Sequence, residues 1–156
     1  MNFGLTLLIV NTASTWFMIG LIWFVQIVHY PLFDSVGPQQ FLFYAERHRH
    51  LTSLVVVLPM LTEIVTALLL ALLWKQSDTT LLWVCFALVV AIWVCTASCS
   101  IPCHQKLCGS GFSASTHEWL VASNWIRTIL WSARGCILTC IIYKQMANPS
   151  VQNVLQ

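Results

Sequence analysis

Hydrophobic residues run through this chain in four long blocks, over residues 5–28, 51–74, 81–100 and 119–143, with short polar stretches between them. Each block approaches or exceeds the roughly 20 apolar residues that an α-helix needs to cross a bilayer. The pattern therefore predicts an all-α fold, an integral membrane four-helix bundle. Residues 1–146 form its single domain, and 147–156 a polar, disordered tail. Residues 39–50 place Phe41, Phe43 and Tyr44 among Glu46, Arg47, His48, Arg49 and His50. That mixture predicts a short interfacial helix running into the second span. Pro59 removes a backbone bond to Val55 and predicts a kink in that span. Residues 75–80 are polar and short, so the third span must return antiparallel to the second.

The polar positions inside the blocks carry more information than the apolar ones. In the last block Asn124, Arg127, Trp131 and Arg134 recur at i, i+3, i+7 and i+10, which puts them on one helical face. His117 extends the stripe one heptad upstream. An arginine at membrane depth is costly unless it faces a protein interior with a partner, so this stripe must point inward. The first block offers a matching face of Asn11, Thr15, Met18, Ile22, Gln26 and His29. In the second block Glu63 lies below Pro59. Counted from the end of the bundle nearest the histidines at 1.5 Å per residue, Arg127 falls at roughly 12 Å, Glu63 at roughly 18 Å and Arg134 at roughly 22 Å. Glu63 is expected to pair with Arg127 or with Arg134. The second cation is then left to hold an anionic or carbonyl-bearing ligand, such as a quinone head group or an acidic lipid. Trp131, on the same stripe, is placed to touch that ligand.

Alternating span directions bring the first and third loops to one membrane face. All five histidines then gather there: His29, His48, His50, His104 and His117. Imidazole is the common protein ligand for haem iron and first-row metals, and helix bundles assemble such sites from facing helices. The sequence thus nominates His29, His48, His104 and His117 as ligands of a haem or a transition metal, iron or copper, with His50 a spectator. Such a site suits an oxidase-like or oxygenase-like protein acting on a lipophilic substrate or quinone. The competing expectation is a non-enzymatic assembly subunit or small carrier whose buried charges set packing. A thin bundle of this kind would associate with a partner subunit or with copies of itself.

Composition narrows these readings. Only 8% of the 156 residues are charged and 58% are hydrophobic, against about 25% charged in a typical soluble domain. Mean hydropathy is +0.79. The net charge of +2 gives no basis for nucleic-acid binding. Seven cysteines, an odd number placed mostly in apolar blocks, read as small hydrophobes rather than a disulfide framework. The first block has no basic leader and no cleavage motif, and so reads as a retained span. Arg47, Arg49 and Lys106 on the histidine side outnumber Lys75 and Lys144 on the other, which places the histidine loops in the cytoplasm.

Four segments, V-Q-I-V-H-Y-P-L-F over 25–33, P-M-L-T-E over 59–63, P-C-H-Q-K-L over 102–107 and N-W-I-R-T-I-L-W-S-A-R-G over 124–135, resemble a group of small four-span bacterial membrane proteins. The resemblance implies a multi-pass protein of the cell inner membrane. It picks out His29, Glu63, His104, Asn124, Arg127 and Arg134 by motif, and it implies a topology but no activity. In size and span count alone the chain is similar to anthrone-oxygenase-like membrane proteins.

Overall fold

A computed structural model of the chain describes residues 3–74 and 78–147. The expected tail from 148 onward and the charged position at 75 lie outside the described residues. Helix α1 spans Phe3–Phe24, α2 Pro38–Leu73, α3 Thr79–Cys95, α4 Ile101–Ser110 and α5 Ala114–Met146. Helices α3 and α4 are one rod joined by a π turn, so the described residues form four rods. Each is long and apolar enough to cross a membrane. Large apolar side chains point outward, among them Leu54 at 67% exposure, Leu58 at 72% and Ile129 at 63%. In water that arrangement would be unstable, whereas in hydrocarbon such side chains meet a solvent as apolar as themselves. The chain is a multi-pass membrane four-helix bundle.

Two boundaries differ from those read in the sequence. The amphipathic segment 39–50 is no separate interfacial helix, because α2 continues through it as one helix of 36 residues. Likewise the third rod does not stop at residue 100. It passes through Pro102 and ends at Ser110, where Gly111 turns the chain at a φ of 80°, a conformation that glycine adopts without steric cost. The rod survives Pro102 for a local reason. A proline ring collides with the carbonyl four residues back in a regular α-helix, which for Pro102 is that of Ser98 and for Pro31 that of Ile27. Both carbonyls lie inside π turns, Thr96–Ser100 and Val25–His29. The widened turns bond five residues back, Ile101 N–H to Thr96 O and Tyr30 N–H to Val25 O at 2.9 Å. This register moves the offending carbonyl away from the ring. After the first π turn, Pro31–Ser35 closes a short 3₁₀ turn that tucks Phe33 fully inside.

The core falls into three layers along the bundle. At the histidine end Val25, Phe33, Phe41, Leu107 and Leu120 pack together. Met18, Ile22, Met60, Ile92 and Trp131 fill the middle, and Leu8, Leu70, Leu82, Leu138 and Ile141 the far end. The far end is tied by an ion pair from Lys144 Nζ to Asp78 Oδ1 at 3.1 Å. Helix α1 packs close against α5 at Gly135. A Cβ added there would lie 2.3 Å from Ile19 Cδ1, so the contact depends on the missing side chain.

Candidate functional site

The polar stripes predicted on α1 and α5 face each other. Asn11, Thr15, Gln26, Asn124, Arg127 and Arg134 are all buried. They sort into two groups at different depths.

The deeper group is closed. Arg134, fully buried, donates from Nη1 to Glu63 Oε1 at 2.5 Å and to the Thr15 hydroxyl, from Nη2 to Asn11 Oδ1 at 2.8 Å, and from Nε to the Cys85 carbonyl at 3.2 Å. Glu63 Oε2 accepts the Trp131 indole N–H at 3.0 Å. Asn11 in turn donates to the Glu63 carbonyl at 3.0 Å and to Thr66 at 2.7 Å. One carboxylate and one guanidinium therefore connect α1, α2, α3 and α5. Among the two partners the sequence left open for Glu63, the structure selects Arg134. With both charges matched and hydrogen-bonded, this node is equipped to fix helix packing. Trp131 spends its only donor there, while its ring still borders the cavity described next.

The shallower group is open. A cavity of about 300 Å³ lies between α1, α2, the third rod and α5. Met18, Leu21, Ile22, Val56 and Met60 give it an apolar wall, and Tyr30, His48, Thr96, Ser100, His104 and Arg127 a polar one. Arg127 is 7% exposed. Its Nη2 donates to Asn124 Oδ1 and, at 3.5 Å, to the Tyr30 hydroxyl, and its Nη1 to Thr96 at 3.4 Å. Every one of these acceptors is neutral. Arg127 Nε has no partner, and neither does the buried Ser100 hydroxyl on the same wall. Asn124 is oriented by donating to Gln26 Oε1 at 2.8 Å, and Gln26 by donating to the Val121 carbonyl at 3.2 Å. The α1 stripe thus holds the α5 stripe in place.

His48 and His104 line this cavity, and His29 stands against His48. His29 Nε2 and His48 Nδ1 stand 2.7 Å apart, with the Thr52 hydroxyl 3.2 Å from the same His48 nitrogen. His104 Nε2 lies 2.9 Å from the Tyr30 hydroxyl. Since Arg127 can only donate to that oxygen, the phenol proton is free to point at His104. Ring centroids are 4.6 Å apart for His29 and His48, and 5.2 Å for His48 and His104. Three of the nominated histidines therefore share one cluster. His117 is set differently: its Nε2 donates to the Tyr30 carbonyl at 2.8 Å, and its ring stacks on Phe33. His50 is exposed and apart. Among the described residues, no three side chains of the histidine, cysteine or acidic type are arranged to hold a metal ion. In this arrangement His29 and His48 are hydrogen-bonded to each other.

Tyr30 is the residue that reading the sequence missed. Its hydroxyl joins Arg127 to His104 and its carbonyl holds His117, so it touches three functional groups at once. In the sequence it stood only as one position of the 25–33 segment, next to Pro31. Compared with family models, curated proteins and solved structures, the chain matches none.

Proposed function

We propose that this protein binds a lipophilic molecule with an oxygen-bearing head group inside the membrane, and that its histidine cluster equips the site for redox or proton-transfer chemistry on that molecule. The observation that carries the reading is Arg127, a buried cation that lines the cavity with an unpartnered Nε and no acidic partner among the described residues. A buried cation left against neutral groups is costly, and an oxygen-rich head group arriving in the cavity would relieve it. The apolar wall of Met18, Leu21, Ile22, Val56 and Met60 suits the hydrocarbon part. A quinone or an acidic lipid meets both requirements, and the bacterial inner membrane is where such a protein would work. Purified protein in neutral detergent should bind decylubiquinone or oleate saturably, and Val56→Trp, which fills the cavity, should abolish it. Saturable binding of neither, with folding intact, would refute the proposal.

A second reading, a metal-centred oxidase or oxygenase, is favoured by the approach of His29, His48 and His104. A first-row metal, iron or copper, would take these three nitrogen donors once the His29–His48 hydrogen bond opened, and would leave positions for substrate. An axial haem ligand needs a ring nitrogen free of other partners. His29, His104 and His117 each engage Nε2 within the protein, so haem iron and a small metal ion alike would need such bonds to open. Metal analysis and an optical spectrum of protein purified from metal- and haem-replete cells decide this point. Protein without stoichiometric metal would leave the carrier or assembly-subunit reading, in which the cavity binds and releases its ligand unchanged.

A further inference from the structure

We infer that the occupant of the cavity is a single-chain anionic amphiphile, its acid group against Arg127 and Ser100, entering between α2 and α4 past Arg49. This rests on the reading of the cavity as a lipophile site and narrows it from oxygen-bearing head groups to formal anions.

The charge inventory is complete enough to support it. All five acidic residues of the chain, Asp34, Glu46, Glu63, Asp78 and Glu118, fall within the described residues. Glu63 is consumed by Arg134 and Asp78 by Lys144. Asp34, Glu46 and Glu118 are exposed. The buried residues therefore include two guanidiniums, Arg127 and Arg134, and two carboxylates, of which Glu63 is matched by Arg134 and Asp78, at the far end, by Lys144, so none is left for Arg127. Asn124, Tyr30 and Thr96 give Arg127 hydrogen-bond acceptors but no counter-charge. A quinone carbonyl would add one more neutral acceptor. Only an anion both fills the vacant position at Nε and neutralises the charge. The unpartnered Ser100 hydroxyl on the same wall supplies a donor for the second oxygen of a carboxylate or phosphate.

The opening points to the same class. Its rim is formed by the exposed residues Arg49 and Ser53 on α2 and Ile101 and Gln105 on α4. Arg49 and Gln105 make one end of the rim polar, while Ile101, with Val56 below it, makes the other apolar. A slot polar at one end and apolar at the other accepts an amphiphile from the side. The cation at the polar end favours an anionic one. A cavity of about 300 Å³ holds one chain and a small head group rather than a two-chain phospholipid.

The test is a set of calorimetric titrations of the full chain in neutral detergent with oleate, oleyl phosphate, oleyl alcohol and decylubiquinone. At least one of the two anions should bind ten-fold or more tighter than the alcohol and the quinone, and the ratio of oleate to oleyl phosphate identifies the acid. Arg127→Gln should reduce the anion to the affinity of the alcohol, and Arg127→Lys should retain most of the preference. Arg49→Gln, at an exposed position that does not challenge folding, should weaken the anion several-fold and leave the alcohol unchanged. Alcohol or quinone binding as tightly as both anions would overturn the inference while sparing the lipophile site. An anion preference that survives both Arg127→Gln and Arg49→Gln would overturn it as well. Failure of all four probes to bind would remove the lipophile site itself.

Discussion

Neutralising Glu63 should destabilise this bundle more than any surface change, by an amount that follows from its surroundings. Glu63 and Arg134 are both fully buried. The Glu63→Gln substitution keeps the side chain's volume and leaves an oxygen for the Trp131 indole, so it creates little cavity. What it removes is the counter-charge of Arg134, whose remaining partners, Asn11, Thr15 and the Cys85 carbonyl, are all neutral. Breaking one side of a buried ion pair costs roughly 3–5 kcal/mol, because the other charge stays buried and uncompensated. For a chain of this length that corresponds to a fall of roughly 6–20 °C in melting temperature. Arg134→Met should cost a similar amount, since it strands the Glu63 carboxylate and leaves Asn11 Oδ1 unsatisfied. The double variant then carries no buried charge at this node. Its loss should fall short of the sum of the two singles by about 1–3 kcal/mol, the coupling expected of groups in direct contact. Thermal unfolding of the four proteins in one detergent, followed by circular dichroism at the helical band, measures the cycle. Strict additivity, or a Glu63→Gln protein that melts with the wild type, would refute the claim that this pair is charged and holds four helices together.

Three further outcomes are expected. Where α1 packs against α5, Gly135→Leu should cost about 1–3 kcal/mol by overpacking, and Ile19→Ala in the same chain should recover part of it, because Ile19 Cδ1 is the atom in the way. In a cysteine-free background, Ser35→Cys and Thr80→Cys, at opposite ends of the bundle and both exposed, should label from opposite sides of the membrane; labelling from one side would end the four-span topology. If metal analysis finds a bound metal, His29→Ala, His48→Ala and His104→Ala should each release it while His50→Ala keeps it. Occupancy should then fall on acidification, because a protonated ring cannot ligate.

What could be read in the sequence, and what could not, divides along helical phase. Asn11, Thr15, Gln26, Asn124, Arg127 and Arg134 are found inside, where counting by 3.6 residues put them, because within an uninterrupted helix phase is fixed by geometry. The partner of Glu63 was not legible. The counted depths placed it between Arg127 and Arg134, some 6 Å from one and 4 Å from the other, and Pro59 blurred the facing direction. Tyr30 was hidden by a different effect. Each π turn inserts one residue into the helical register and rotates all that follows by roughly 100°. Residues beyond Val25–His29 therefore point where a regular count does not place them, and so do those beyond Thr96–Ser100.

The same rotation accounts for the cavity's position. The two π turns are 71 residues apart in the chain (96 minus 25), yet both border the cavity: the first delivers Val25 and, just after it, Tyr30, and the second contributes Thr96 and Ser100. Each is followed, two residues beyond its end, by a proline, Pro31 and Pro102, whose ring favours the widened turn over the regular helix. A widened turn spreads the backbone and turns side chains out of the regular ridge pattern by which helices interlock. Both turns contribute to the wall of the cavity, where they interrupt the interlocking that would close it, and Arg127 lines the same space. Toward the far end, in the layer around Leu138, the helices are regular and the core is filled. Replacing Pro102 by alanine tests the link: it removes the clash that favours the π turn, should let the third rod relax toward α register, and should reduce binding of any lipophile while leaving the Glu63–Arg134 node and the melting temperature nearly unchanged. Undiminished binding in Pro102→Ala would mean that the cavity does not depend on the turn.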